Sequence, residues 1–147
     1  MAGLQGIDFN ADRYTWIVRQ VELLRAGQPE SLDADNLAAE IERLAGEVRL
    51  RARCALVVVC WQLLKHQFLP EPCSNRLRLI LLEHRHQLRA DFQESPSLEE
   101  QCRATLGEAY QEARIYAAVE TGLPEETFRE RCPFTWEQVL DDDFFAS

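Results

Sequence analysis

The residues best suited to chemistry lie in one stretch, CWQLLKHQFLPEPCSNRLR, which begins at Cys60. The thiols of Cys60 and Cys73 flank the amine of Lys65 and the imidazole of His66. Thiolates and imidazoles bind zinc, and a thiol or an amine next to an imidazole can act as a nucleophile. The alternative is a bend between two packed helices, because two prolines interrupt the stretch. We favour the bend, since the number and spacing of these groups match no known reactive arrangement.

A zinc site shared by His66 and His84 fails on distance. If the two flanking helices form an antiparallel hairpin, these histidines lie about 12 Å apart along the helix axis. Zinc needs nitrogen ligands within about 2.1 Å of a single ion. We therefore expect no metal and no cofactor, and we expect His84 to be a core residue whose N–H is hydrogen bonded.

Other signals of catalysis are weak. The five cysteines contain no Cys-x-x-Cys pair, and only Cys73, close to Arg76, lies where a cation would make a thiol reactive. The three carboxylates of residues 141–143 splay in different directions, so we expect a hydrated acidic run and not a calcium site. The chain has no glycine-rich phosphate loop, Gly-x-Ser-x-Gly or His-Glu-x-x-His sequence. Whether the protein is an enzyme stays open, but these residues argue against it.

A strip of cations on the third predicted helix is the strongest surface feature. Arg78, Arg85 and Arg89 recur at offsets that place them on one face of a helix, with Lys65 near its end. Guanidinium groups bind carboxylates and other anions through paired hydrogen bonds. The strip either docks the acidic tail of the same chain or binds another molecule. These four residues are our candidate binding site.

The net charge of −9 is divided unevenly along the chain. Residues 1–42 carry a net −5, residues 43–89 a net +6 and residues 90–147 a net −10. Net acidity argues against direct binding to nucleic acid, which needs a dominant basic face. The densest apolar run has seven residues, which is too short for a membrane span or a signal peptide. An odd number of cysteines without a secretion signal predicts a cytoplasmic protein with reduced thiols.

Helical periodicity predicts an all-α protein. We expect a four-helix up-down bundle over about residues 12–121 and a docked acidic, aromatic tail over about residues 122–147, within a single domain. The first helix covers residues 12–26, and a long second helix covers residues 36–67, with its continuity left open. The predicted inner face of the first helix consists of Tyr14, Ile17, Val18, Val21 and Leu24.

The remaining helices follow from caps and spacing. The third helix begins near Ser74 and forms an antiparallel hairpin with the second. Its predicted inner face consists of Leu77, Leu81, His84, Leu88 and Phe92. A capping box of Ser97 and Glu100 predicts the start of the fourth helix. The tail holds a short helix capped by Thr135, and its five aromatic residues predict that it packs on the bundle.

Several short sequences occur in an order that is typical of one known family. They are YTW at 14–16, LDADNLAAEIERL at 32–44, LLKHQFLPE at 63–71, ETGL at 120–123 and CPFTWEQVLDDDFF at 132–145. Together they resemble the bacterial family named domain of unknown function twenty-nine, across nearly the whole chain. The resemblance implies a small helical bundle protein of the cytoplasm, and it implies no reaction.

The joint between the second and third helices departs from that family pattern. His66 stands where the family typically has a tryptophan, and Leu77 stands where it has the tryptophan of a Ser-x-Ser-Trp turn. Arg78, Arg85, Lys65, Asn36 and Glu40 follow the pattern, so the resemblance places any shared function near them.

Two functions remain open from the sequence. The first is an interaction or regulatory module that recognises another protein through the helical hairpin or the tail. The second is an enzyme or a small-anion-binding protein that uses the corner formed by Lys65, Arg78 and Arg85. We favour the interaction module, because the charges are segregated and a catalytic motif is missing. The partner and the oligomeric state are left open.

Overall fold

A computed structural model describes residues 6–69 and 74–146. The predictions for Cys73 and for the prolines at positions 70 and 72 lie outside the described residues. Within those ranges the chain is all-helical without strands, which confirms the predicted fold class. The six α-helices of the described residues are α1 (Arg13–Arg25), α2 (Ala34–Phe68), α3 (Asn75–Glu94), α4 (Pro96–Ala104), α5 (Leu106–Thr121) and α6 (Trp136–Leu140). The up-down arrangement of four helices stays a prediction.

The chain divides into two compact units, one ending at Glu47 and the other beginning at Val48. Helix α2 is a single uninterrupted helix of 35 residues that contributes to both units. The single domain expected from the chain length therefore stays a prediction. None of the helices in the described ranges has the length and hydropathy needed to cross a membrane.

In the first unit, one flank of α1 is anchored by a polar cluster. Trp16, Gln20 and Leu23 are the buried residues of α1. The indole Nε1–H of Trp16 donates to the Asp33 carboxylate at 3.1 Å, and the backbone N–H of Asp33 donates to the Gln20 side chain at 2.9 Å. The ring of Phe9 packs edge-on against the Trp16 indole at 4.8 Å between centroids. The start of α2, just after Asp33, is thereby tied to α1.

The predicted inner face of α1 is wrong. Its five apolar residues are exposed, and the buried residues lie on the neighbouring flank of the helix; the exposed residues are Tyr14, Ile17, Val18, Val21 and Leu24. Helical periodicity identifies an apolar stripe, but it does not identify what covers that stripe. The start of α2 shows the same feature, because Ile41 and Leu44 are also exposed.

The second unit contains the main hydrophobic core. Helix α2 contributes fully buried apolar side chains, and α3, α4, α5 and the tail contribute the others; the cluster includes Leu56, Val59, Leu63, Leu81, Leu88, Leu98, Ala113, Ala117, Phe128 and Val139. The tail is therefore part of the core, as its aromatic content predicts. Its short helix α6 has the predicted capping box of Thr135 and Gln138.

The predicted fourth helix is two helices, α4 and α5, which meet at Thr105. The Thr105 hydroxyl donates to the backbone carbonyl of Gln101 at 3.0 Å, a local bond of the kind that competes with continuous helix. The predicted Ser97 cap is wrong, because α4 begins after Ser95 with Pro96 in its first turn. A proline fits there since the first helical N–H groups have no intrahelical partner.

The inner face of α3 contains an arginine that the sequence pattern missed. The leucines and the phenylalanine of the predicted face are buried, but the central position belongs to Arg85, which is 0% exposed, and not to His84. His84 is half-buried, and its ring bonds the Ile80 carbonyl through Nδ1 at 2.8 Å. Hydrophobic patterning favours the less polar His84 as the core residue. It takes no account of hydrogen bonds, which can offset the cost of burying the charge of Arg85.

The Asp33 cluster makes the first unit sensitive to acid. Hydrogen bonding from Asn36 lowers the pKa of Asp33 below its usual value, so the ionised form is favoured in the folded chain. Its contribution to stability is present above about pH 4 and is lost as the pH falls through the folded pKa. We expect Asp33→Ala to lower the urea midpoint at about pH 7 and to have little effect at about pH 2. Equal losses at both pH values would contradict this role.

Candidate functional site

The cation strip predicted on α3 meets the tail of the same chain. Arg85 donates from Nε to the Val139 carbonyl at 2.8 Å, and from Nη2 to the carbonyls of Gln138 at 3.2 Å and Phe144 at 2.9 Å. The last carbonyls of a helix have no intrahelical donor, and Gln138 and Val139 belong to the last turn of α6. Arg85 therefore donates hydrogen bonds to the last turn of α6 from a buried position on α3. Burial lowers the pKa of its guanidinium, and the nearby carboxylates of Asp142 and Asp141 oppose that shift.

Arg89 and Arg78 meet the tail on either side of Arg85. Arg89 binds the Asp142 carboxylate with two hydrogen bonds of 3.0 and 2.8 Å, and it also donates to the Leu140 carbonyl at 2.8 Å. Arg78 lies over the ring of Phe145 at 5.3 Å from its centroid. The pairing of the strip with the acidic run, one of the two predicted alternatives, is thus present at Asp142.

Helix α5 holds the other end of the tail. The Tyr110 hydroxyl donates to the Arg129 carbonyl at 2.6 Å, and burial raises the pKa of Tyr110 to about 12. The buried Arg114 donates from Nη2 to the carbonyls of Glu125 at 3.3 Å and Phe128 at 3.4 Å. Side chains of two helices therefore bind the tail backbone along most of its length.

Lys65 lies at a different corner from the strip. Its Nζ pairs with the Glu120 carboxylate of α5 at 3.0 Å. The neighbouring His66 bonds the Ala146 carbonyl through Nδ1 at 2.9 Å, so the end of the tail reaches the end of α2. The structure therefore separates the four predicted site residues: Arg85 and Arg89 bind the tail, whereas Lys65 lines a cavity.

That cavity has a volume of about 600 Å³ and lies between the end of α2, the start of α3 and Glu120. Its polar lining comes from Gln62, Lys65, His66, Arg76, His84 and Glu120, and its apolar lining includes Val58, Trp61, Leu77 and Ile80. His66 and His84 both face it, although we predicted that they would lie too far apart to share a metal ion. The described residues contain no group of three or more His, Cys, Asp or Glu that could hold one.

A second candidate surface lies in the first unit. We call it the apolar stripe, and it consists of Tyr14, Ile17, Val18, Val21 and Leu24 on α1 with Ile41 and Leu44 on α2. Scattered apolar side chains are normal on protein surfaces, but a contiguous apolar patch marks an interaction site. The five α1 side chains recur on one face of that helix, so they are not scattered, and Ile41 and Leu44 are exposed apolar residues three positions apart on α2.

Comparison with known proteins identifies the family. The family model described as domain of unknown function DUF29 matches residues 9–145. This chain belongs to the DUF29 family. The resemblance seen in the sequence is thereby confirmed over almost the whole length. No curated protein and no solved structure matches the chain.

The family match covers all the surfaces described above, but it assigns a function to none of them. In this DUF29 chain the strip, the cavity and the apolar stripe are separate places, and each must be judged from its own geometry. Sequence reasoning missed the apolar stripe as a surface because it treated the stripe as core. It also missed Trp61 and Gln62, which read as ordinary members of an apolar helix.

Two thiols of this DUF29 chain interact. A hydrogen bond with Cys132, together with burial, raises the pKa of Cys60, and the same hydrogen bond lowers the pKa of Cys132. Burial also raises the pKa of Cys102. Cys54, in contrast, is exposed.

These thiols should react in two classes. Because the thiolate is the nucleophile, we expect iodoacetamide to modify Cys54 and Cys132 in the folded protein well before Cys60 and Cys102. Peptide mass spectrometry after timed quenching measures the order. Modification of Cys60 as fast as Cys132 would contradict the assigned direction of the hydrogen bond.

Removing Arg85 should detach the tail. An unpaired buried carbonyl costs about 1–3 kcal/mol, and Arg85→Met leaves several, so we expect a loss of about 3 kcal/mol or more in the free energy of unfolding. Arg78→Met is the matched control, because Arg78 is an exposed cation on the same helix that also contacts the tail. Its expected loss is below about 1 kcal/mol. Urea denaturation measures both, and equal losses would contradict the central role of Arg85.

Proposed function

We propose that this protein is an interaction module that binds another protein chain through the apolar stripe. The observation that carries the proposal is the exposure of five apolar side chains on one face of α1, which ranges from 38% at Val21 to 77% at Tyr14. Burying such side chains in an interface contributes about 25 cal/mol per Å² removed from water. A protein partner, and not a small molecule, fits exposed apolar side chains that extend along the whole of α1.

The partner we propose is a second copy of the chain. Helix α1 carries three arginines and one glutamate, whereas residues 33–47 carry five acidic side chains and one arginine. The charged residues of α1 are therefore mostly basic, and those at the start of α2 are mostly acidic. In a two-fold dimer, the basic α1 of each copy can face the acidic start of α2 in the other, which makes the surface self-complementary.

The pairing chemistry already operates within one copy. Arg13 of α1 binds the Glu40 carboxylate of α2 at 2.7 Å, and Glu40 also pairs with Arg43 at 3.0 Å. Rim charges of this kind set register and orientation more than affinity, whereas the apolar residues supply the driving force.

The α3 strip has a different role in this proposal. Arg85 and Arg89 hold the tail, and Arg78 supports it, so we propose that the strip is structural and that recognition occurs in the first unit. We also propose a cytoplasmic location, which the odd number of cysteines supports. The net charge of −9 supports a partner other than nucleic acid.

A pair of charge insertions in α2 tests the proposal. Ile41→Glu places a carboxylate within the stripe, and Ala39→Glu places the same carboxylate about 200° around the helix. Both positions are exposed, so neither change should disturb folding. We expect the wild type and Ala39→Glu to have twice the mass of one chain by light scattering, and Ile41→Glu to have the mass of one chain.

Co-expression of two differently tagged copies provides the second readout. Each tag should capture the other copy in the wild type and in Ala39→Glu, but not in Ile41→Glu. A wild-type protein that keeps the mass of one chain up to about 100 μM would contradict self-association through the stripe. A dimer that Ile41→Glu leaves intact would also contradict it, because the interface would then lie elsewhere.

A further inference from the structure

The cavity beside Lys65 has the features of a ligand site, and it is independent of the proposed interface. It lies entirely within the second unit, and its volume of about 600 Å³ falls in the range of small-molecule pockets. Such pockets combine mostly apolar walls with a few polar groups that orient the ligand. The walls formed by Val58, Leu77 and Ile80 meet this description.

Two buried polar atoms at this cavity have no partner among the described residues. They are the indole Nε1 of Trp61, a donor, and the amide Oε1 of Gln62, an acceptor. Both side chains line the cavity, and Gln62 is only 5% exposed. Most buried polar atoms in native proteins are hydrogen bonded, so an unpaired donor and an unpaired acceptor on adjacent residues require an explanation. A hydroxyl can both accept from an indole N–H and donate to an amide oxygen, so a bound molecule that carries one offers a suitable partner to each atom.

The charges of the lining favour an anion. Lys65 and Arg76 supply two cations, against the single carboxylate of Glu120. Lys65 already binds Glu120 at 3.0 Å, which leaves Arg76 as the main charge for a ligand. Arginine binds carboxylates with two parallel hydrogen bonds, so it selects a carboxylate over a neutral group.

The two histidines add hydrogen-bonding groups without adding a metal site. A carbonyl can only accept, so His66 and His84 each donate from Nδ1 to Ala146 and Ile80, respectively. In the neutral ring Nε2 is then an acceptor. With two imidazoles and one carboxylate already paired to Lys65, the described lining suits an organic ligand better than an ion.

We propose that this cavity binds a small organic carboxylate with a flat apolar body and a hydroxyl group. The carboxylate binds Arg76, the body packs on Trp61 and Ile80, and the hydroxyl pairs with the indole donor and the Gln62 amide. The proposal would hold for a monomer or a dimer, because no residue of the apolar stripe takes part.

Three fragments separate the contributions that the carboxylate and the hydroxyl make to the affinity for the cavity. Hydroxynaphthoate carries both polar groups, naphthoate lacks the hydroxyl, and naphthol lacks the carboxylate. We expect hydroxynaphthoate to bind most tightly, with each simpler fragment weaker by about tenfold, the effect of one lost hydrogen-bonding contact.

The indole N–H signals in NMR spectra provide an internal control. The chain has three tryptophans, and the indoles of Trp16 and Trp136 already donate to Asp33 and Glu99, both at 3.1 Å. Hydroxynaphthoate should shift the Trp61 signal, assigned with Trp61→Phe, and leave the other two unchanged. If none of the fragments moves the Trp61 signal, or if all three indole signals move alike, the site is refuted.

A matched pair of arginine variants tests the recognition of charge. Arg76 lines the cavity, whereas Arg78, two residues later, does not, and both are exposed. Arg76→Ala should raise the Kd for hydroxynaphthoate about tenfold, and Arg78→Ala should change it less than about twofold. If Arg76→Ala binds as tightly as the wild type, or if naphthol binds as tightly as hydroxynaphthoate, the carboxylate assignment is wrong.

Discussion

The buried guanidinium of Arg85 is the interaction on which the second unit depends. A charge in the core is costly unless its donors are bonded, and here the tail supplies three backbone carbonyls to two of its nitrogens. The carbonyls of Gln138 and Val139 in turn need a donor, because the last carbonyls of the five-residue helix α6 have no donor within the helix. Arg85 and the tail therefore supply hydrogen bonds to each other through Nε and Nη2, whereas Nη1 of Arg85 is buried without a partner among the described residues. This mutual need explains why a tail with five aromatic residues packs in one place and does not form a nonspecific apolar contact.

The docked tail also determines which polar groups of the second unit are left to bind other molecules. Arg85 and Arg89 donate to the tail, so within the strip only Arg78 is exposed without a hydrogen bond to the tail residues that the structure describes. The end of the tail reaches His66 and fixes that ring at the margin of the cavity. The apolar stripe lies in the first unit and shares no residue with these contacts. The two proposals, interaction with a second copy and binding of a small molecule, therefore concern separate parts of the chain.

Local signals predicted much of this fold, and non-local ones were missed for physical reasons. Periodicity and caps predicted α1, the approximate extent of α2 with its continuity left open, the Ser74 cap and the Thr135 capping box, because each depends on residues within a few positions. Arg85, and not His84, is the buried residue because its guanidinium binds carbonyls about 55 residues away in the sequence. No helical pattern reveals such a partner. The apolar face of α1 was predicted to be buried but is exposed, because periodicity identifies an apolar face without showing which element, if any, packs against it. The lack of hydrogen-bond partners for Trp61 Nε1 and Gln62 Oε1 within the described ranges can be recognised only when the positions of all neighbouring atoms are known.

Hydrogen exchange of the wild-type protein tests the central role of the tail most directly. The Val139 amide donates to the Thr135 carbonyl at 3.0 Å within α6, a helix too short to be stable alone. If Arg85 joins the tail to the core, this amide should exchange only through global unfolding, with the same free energy as the buried Leu88 amide of α3. Exchange of Val139 at a much lower free energy than Leu88 would show that the tail opens independently, and it would contradict the account.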